Sequence, residues 1–170
     1  MAGAVISLGL KEVEGLARIL NGVKLASEDR VQLLKDIGVE LESQTQERFD
    51  TQKDPDGNKW KELAQKTRDY YMQNGLGKGS LLVQEGSLRD TITSRVSDSW
   101  SVLVGATMIY AAIHQWGGEI VPKAAAALYV PGYGKLKKVT IPARPYLGVS
   151  SQDAADIAAI AQGFAARRFK

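Results

Sequence analysis

Any chemistry in this chain would have to rest on one histidine, His114, and a scatter of carboxylates. His114 stands five residues before Glu119, so an imidazole and a carboxylate could act there as base and acid. There is no cysteine to serve as a thiol nucleophile, and no Gly-x-Ser-x-Gly elbow presents a serine. A lone histidine falls short of the two-histidine sets common at zinc sites, which leaves only mixed carboxylate sites. In a short helix beside Tyr110 and Trp116, the favoured reading is structural. The imidazole would satisfy buried backbone groups or pack at an interface, where it is also the usual pH-sensitive group.

Two loops imitate ligand sites. Asp54-Pro-Asp-Gly-Asn58 has the look of a calcium loop, but an EF-hand needs glycine at its sixth position and a glutamate at its twelfth. Here glycine comes fourth and the twelfth residue is Gln65, so the segment reads as a turn, with proline presetting φ and glycine accepting a positive one. Asn74-Gly-Leu-Gly-Lys-Gly-Ser80 suggests a phosphate loop. A Walker motif needs Ser or Thr directly after the lysine, whereas Gly79 follows Lys78. Residues 74–80 therefore read as a flexible surface loop, and neither a metal nor a cofactor is expected.

The elements that would position these residues follow from periodicity. Residues 4–8 suggest a short strand, and Leu10, Val13, Leu16, Ala17 and Leu20 recur at helical spacing up to Asn21-Gly22. A second helix opens at Ser27 as N-cap, with Glu28 and Asp29 where negative charge suits the dipole. Val31, Leu34, Leu41, Thr45 and Phe49 mark its buried face, making it the longest helix and the main packing surface for a sheet. Trp60 and Leu63 anchor the far end of the turn to the core. Residues 91–97 and 100–106 read as a hairpin about Asp98-Ser99, with Trp100, Val102 and Val104 on one face. Residues 110–116 read as a short helix closed by Gly117 and Gly118. Residues 120–137 read as an extended loop or hairpin arm that protrudes or lies on another subunit. Lys137 to Ile141 returns as a strand ended by Pro142, and Ser151 caps a last helix whose charges match the dipole at both ends. The fold class expected is α+β: a single domain over residues 1–170, with an antiparallel sheet packed against a long helix.

Several side chains stand out as interface or structural candidates: Tyr110, His114, Trp116, Gly117, Gly118, Tyr129, Tyr133, Arg144 and Tyr146. Arg144, restrained between two prolines, is expected to pair bidentately with a carboxylate, across subunits or within the chain. Trp116 is expected to close the core. Tyr129 and Tyr133 lie in segments open to partners. Lys135, Lys137 and Lys138 could touch DNA but read better as a solvated cluster.

Composition excludes some function classes. The net charge of +3 is too small for a general nucleic-acid binder. No run approaches the ~20 apolar residues of a membrane span, and the start lacks the basic region of a signal peptide. The absence of cysteine fits a cytoplasmic origin. Charge is unevenly placed: residues 1–50 hold six basic and nine acidic side chains, and residues 101–170 hold eight and three. Such asymmetry could orient neighbouring subunits.

Arg48-Phe49, Asp54-Pro-Asp-Gly57 with Trp60, Leu81 to Arg89, Tyr110 to Gly118, and Ile141-Pro-Ala-Arg-Pro-Tyr-Leu-Gly148 follow one another from about residue 40 to the end. In type and order they resemble the virion morphogenesis family of tailed phages, the small tail-completion or neck proteins of Mu-like contractile-tailed phages. The resemblance implies a structural part and not an enzyme. It would complete the head-proximal end of the tail or join head to tail. It also implies a homo-oligomer, a hexameric ring matching the tail tube, with the tube, sheath or head–tail connector as partners. DNA would pass through the channel. The site of action would be the virion tail or neck, after assembly in the host cytoplasm. Residues 74–80 and 120–137 would then be flexible arms that order on neighbours. The competing classes are a small virion-associated, peptidoglycan-active hydrolase using His114, Glu119, Asp54 or Asp56, and a DNA-binding neck adaptor.

Overall fold

Residues 27–51 form one long helix, α1 (Ser27–Thr51), whose buried positions recur every three or four residues from Leu33 and Leu34 through Ile37, Leu41 and Thr45 to Arg48 and Phe49. The computed structural model describes residues 3–9, 26–76, 81–83, 87–98 and 100–168. Leu33, Leu34, Ile37, Leu41 and Phe49 of α1 are almost wholly buried, each stabilising the fold by about 1.5–3 kcal/mol. Ser27 turns out to be the first helical residue. The N-cap position is Ala26, which offers no side-chain cap, so Glu28 and Asp29 alone complement the helix start.

The buried face of α1 lies on a three-stranded antiparallel sheet in the order β1 (Ala4–Gly9), β3 (Ser101–Ala106), β2 (Ile92–Asp98). Ala106 at the end of the central strand pairs with Ala4 on one side and Ile92 on the other. Alternation along β3 buries Val102 and Val104 in the same core cluster as Leu34 and Leu41. Gly38 brings helix and sheet together, because a β-carbon there would run into Ser94 and Val102. Glu42 accepts the backbone N–H of Ser94. Trp100 lies with its ring 4.7 Å from the guanidinium carbon of Arg30. The expected hairpin is present, with a register shift between Val96 and Asp98. The Asp98 carboxylate receives Trp100 N and Ser101 Oγ at 2.7 and 2.6 Å.

Asp54 to Asn58 forms the expected turn. Asp54 Oδ1 accepts Asn58 N at 2.8 Å, Gly57 has φ +84°, and Trp60 N returns to Gln52 O at 2.8 Å. Next come α2 (Gln65–Gln73), which buries none of its residues, and the single turn α3 (Ser87–Asp90). Leu81, Leu82 and Val83 pack against the core. After β3 follow α4 (Ala111–Trp116), then a two-stranded ribbon of β4 (Gly118–Ile120) and β7 (Val139–Ile141). Between these two strands sits a hairpin of β5 (Leu128–Val130) and β6 (Gly134–Leu136).

The last helix, α5 (Ser151–Arg168), runs antiparallel to α1. Gln44 reaches Asp156 at 2.9 Å and Arg168 reaches Asp29 at 3.0 Å at the other end. Its cap is Ser150 and not Ser151: Ser150 Oγ accepts Asp153 N at 3.0 Å, and Asp153 accepts Ser150 N at 2.7 Å. This reciprocal pair is a capping box. The helix expected over residues 10–20, residues 77–80 of the glycine-rich loop, residues 84–86 and Ser99 of the hairpin turn lie outside the described residues. Among the described residues, no helix is long and apolar enough to cross a membrane.

Candidate functional site

Residues 142–148 run from β7 to α5 without joining a sheet, yet Arg144, Tyr146 and Leu147 are buried. A buried irregular segment must find partners for its backbone groups elsewhere. Side chains from distant elements supply them. Arg48 of α1 donates to Tyr146 O at 2.9 Å and Gly148 O at 3.1 Å, and its other nitrogen pairs with Asp153 at the start of α5. Trp60 Nε1 donates to Pro145 O at 2.8 Å. Gln115 of α4 donates to Leu147 O at 2.9 Å, and its carbonyl oxygen receives both Tyr146 N and Leu147 N at 2.9 Å. The segment is a strap bolted to the core by three side chains. Phe49 stacks edge-on to Trp60 at 5.4 Å and tilted against Tyr146 at 5.2 Å, closing the apolar side of the same junction.

Arg144 fixes the strap outward as well. Its Nε donates to Lys61 O at 2.7 Å and its Nη2 to Glu62 O at 3.2 Å. This corrects the expected carboxylate pairing: two successive carbonyls fit the guanidinium fork, and the side chain is buried against them. Burial lowers its pKa from the ordinary guanidinium value. Tyr146 Oη donates to Ala111 O at 3.1 Å, and burial pushes this phenol well up.

These bonds hold α4 in place. Arg144 N donates to His114 O at 2.7 Å, just beyond the last rung of the β4–β7 ribbon. Gly117 ends the helix with φ +71°, and a β-carbon there would strike Ala143 N, so glycine serves both the cap and the close approach. Gly118, at φ +150°, opens the ribbon. The His114 ring packs edge-on to Tyr110 at 5.9 Å. Its Nδ1 is buried without a hydrogen-bond partner among the described residues, and burial together with the positive charge of Arg144 lowers its pKa from the ordinary imidazole value. Glu119 faces solvent, held by Lys138 at 2.7 Å and Thr140 at 3.3 Å, and the Lys138 bond lowers its pKa. Among the described residues no hydrogen bond joins His114 to Glu119, and Asp54 is engaged in its own turn. No cluster of three metal-ligating side chains occurs among the described residues.

Trp116 does not close the core as expected. It is 60 % exposed, because Ala111 and its own neighbour Gln115 are the residues of α4 that turn inward. Ile109, at 78 % exposure, and Tyr110, Ile120 and Val121 are exposed nearby in the chain. The braced helix, the residues just before it and the start of the ribbon therefore carry a group of exposed apolar side chains, a knob of residues close together in the chain. The expected arm is a hairpin resting on α2 of its own chain. Gly132 abuts the Tyr70 ring, Tyr133 Oη bonds Thr67 Oγ1 at 2.9 Å, and Lys66 lies 4.8 Å over the Tyr133 ring. Tyr129 points outward at 76 % exposure.

The residues that sequence reasoning missed are Arg48 as the strap's main bolt, Gln115 as its clamp, and Asp153 as a buried partner rather than a dipole charge. A signal existed for two of them. Arg48 falls on the apolar stripe of α1 beside Phe49, and Ser150-x-x-Asp153 spells the capping box.

Residues 11–163 match the model of the phage virion morphogenesis family. The putative capsid assembly protein G of Escherichia phage Mu is 34 % identical over 112 residues, covering 64 % of this chain and 62 % of that protein. The Mu-like prophage FluMu G protein 2 of Haemophilus influenzae is 29 % identical over 153 residues, covering 90 % of this chain and 91 % of that protein. No solved structure matches.

Proposed function

Since this chain belongs to the phage virion morphogenesis family, we propose that it is a structural part of the particle that completes the head-proximal end of the tail or joins head to tail. It works in the tail or neck as a ring of identical copies, six-fold to match the tail tube, against tube, sheath or connector proteins. The observation that carries this reading is the exposed apolar surface around α4, held on a frame that the buried side chains of Arg48, Trp60, Gln115 and Arg144 lock in place by hydrogen bonds. Such a surface suits association, since apolar and aromatic side chains on a rigid support bind without a further ordering cost. The chemistry-bearing residues, by contrast, are dispersed. His114 is tied to a packing role, and Glu119 is paired with Lys138.

Electron microscopy of particles made without the gene tests the reading. DNA-filled heads beside unjoined or overlong tails are the expected result. Normal, infectious particles would overturn it.

A further inference from the structure

Two surfaces of this chain complement each other. The first is the apolar knob of Ile109, Trp116, Ile120 and Val121, flanked by Lys123 and Lys137. Both lysines are exposed, and neither makes an ion pair among the described residues. The second is an open groove of about 530 Å³ between α1 and α5, lined by Asp36, Val39, Ala159, Ile160, Gly163 and Arg167. Val39 is 64 % exposed on its wall. Gly163 leaves its floor open: among the described residues a β-carbon there would meet only Arg167, at 3.9 Å. Charge distinguishes helix α1 from the knob side, while the groove's own lining holds one acid, Asp36, and one base, Arg167. Helix α1 carries seven acidic and three basic side chains, and one of the three, Arg48, is buried. Among the described residues, Asp36 and Glu40 accept only glutamine amides from their own helix, at 2.8 and 2.9 Å. The knob side, residues 118–141, holds four lysines against the single Glu119.

We propose that copies of this chain pair head to tail, with the knob of one copy seated in the α1–α5 groove of the next. The pairing rests on the ring reading above and gives it surfaces. Knob against knob would bring the flanking lysines of both copies together, an arrangement that like-charge repulsion disfavours. Knob into groove sets Lys123 and Lys137 against Asp36 and Glu40, which make no ion pair among the described residues, and buries Trp116 and Ile109 against Val39 and Ile160. Because the two patches differ, the contact is heterologous, the kind that closes a ring or runs on as a stack.

Two variants of the full chain test it, with sedimentation velocity as the readout. Trp116→Ser blunts the knob on a residue that is already exposed. Gly163→Phe plugs the groove at a helical position with room for a side chain, so the fold is kept, and unchanged melting checks this for both. The wild-type chain self-associates, more weakly as salt rises. Each variant alone raises the Kd at least about 30-fold. An equimolar mixture of the two recovers a heterodimer and nothing larger, since each partner retains one sound surface. A monomeric wild-type chain, indifference to Gly163→Phe, or a mixture without heterodimer would each overturn the pairing. If particles lacking the gene still show unjoined heads and tails, the assembly role stands and only the proposed surfaces fall.

Discussion

Arg48→Met removes the strap's main bolt while keeping an unbranched apolar stem in its place. Three acceptors lose a donor: the carbonyls of Tyr146 and Gly148, and the Asp153 carboxylate. Asp153 is only 5 % exposed, so its charge stays buried with Ser150 N as its remaining donor. Breaking a buried pair from one side costs about 3–5 kcal/mol. A stranded buried carbonyl adds about 1–3 kcal/mol, less whatever water or relaxation restores. These contributions share one network and do not sum, so about 4–5 kcal/mol is expected, a large part of the ~5–15 kcal/mol typical of a domain. With a urea slope of about 2 kcal/mol/M, the midpoint should fall by about 2 M. Adding Asp153→Asn removes the orphaned charge and should recover about 1–3 kcal/mol. A loss below about 1 kcal/mol for Arg48→Met, or a double variant no better than the single, would refute the view that this pair holds the strap.

Two further outcomes follow from the same junction. His114 has its pKa lowered in the fold, so below pH 6.5 the unfolded chain takes up a proton that the folded chain refuses. Stability should therefore decline as pH falls from 6.5 towards 5, by no more than about 1.4 kcal/mol per pH unit. His114→Gln should melt without that decline and still assemble. A Gln variant that folds and assembles yet fails to support infection would restore a chemical role to the histidine. Arg144→Lys keeps the charge but loses the fork that spans Lys61 O and Glu62 O. Thermal melts should show a loss of about 1–3 kcal/mol, and a melt matching wild type would show that the two carbonyls find water instead.

What the sequence disclosed, and what it hid, divides along physical lines. The α1 stripe, the β2–β3 hairpin and the Asp54 turn were legible because each is written in neighbouring residues: a 3.6-residue period, strict alternation, and Pro-Asp-Gly turn chemistry. The strap was legible only as a proline-restricted corner. Its hydrogen bonds come from Arg48, Trp60 and Gln115, roughly 30 to 100 residues away, and no local pattern encodes partners at that distance. Trp116 was misplaced for a related reason. A six-residue helix has too few turns to announce which face is buried, and its inward position went to Gln115, whose amide serves three backbone groups. The proline-flanked Arg144 announces a fork but not its partner, since successive backbone carbonyls accept the same geometry as the expected carboxylate.

The strap also changes how assembly should be understood. Flexible arms ordering on a neighbour would set entropy against every contact, at about 1–2 kcal/mol for each residue fixed. Here the hairpin that would be such an arm already rests on α2, and α4 is pinned through His114 O, Ala111 O and Gln115 to a strap that is itself pinned to α1 and α5. The ordering cost around Trp116 is thus met when the chain folds. Under the pairing proposed above, a partner meeting this surface would gain the apolar burial of Trp116 and Ile109 with little left to immobilise, which would favour one geometry over a range of loose ones. A buried ion pair and three clamped side chains stabilise a fold less efficiently than an apolar core of the same volume would. Their value lies in direction: they hold a short helix, too small to be stable alone, at one fixed angle to the rest of the molecule. Loosening the strap should therefore weaken association before it unfolds the chain, and Arg48→Met protein held below its unfolding transition is where that order of events would be seen.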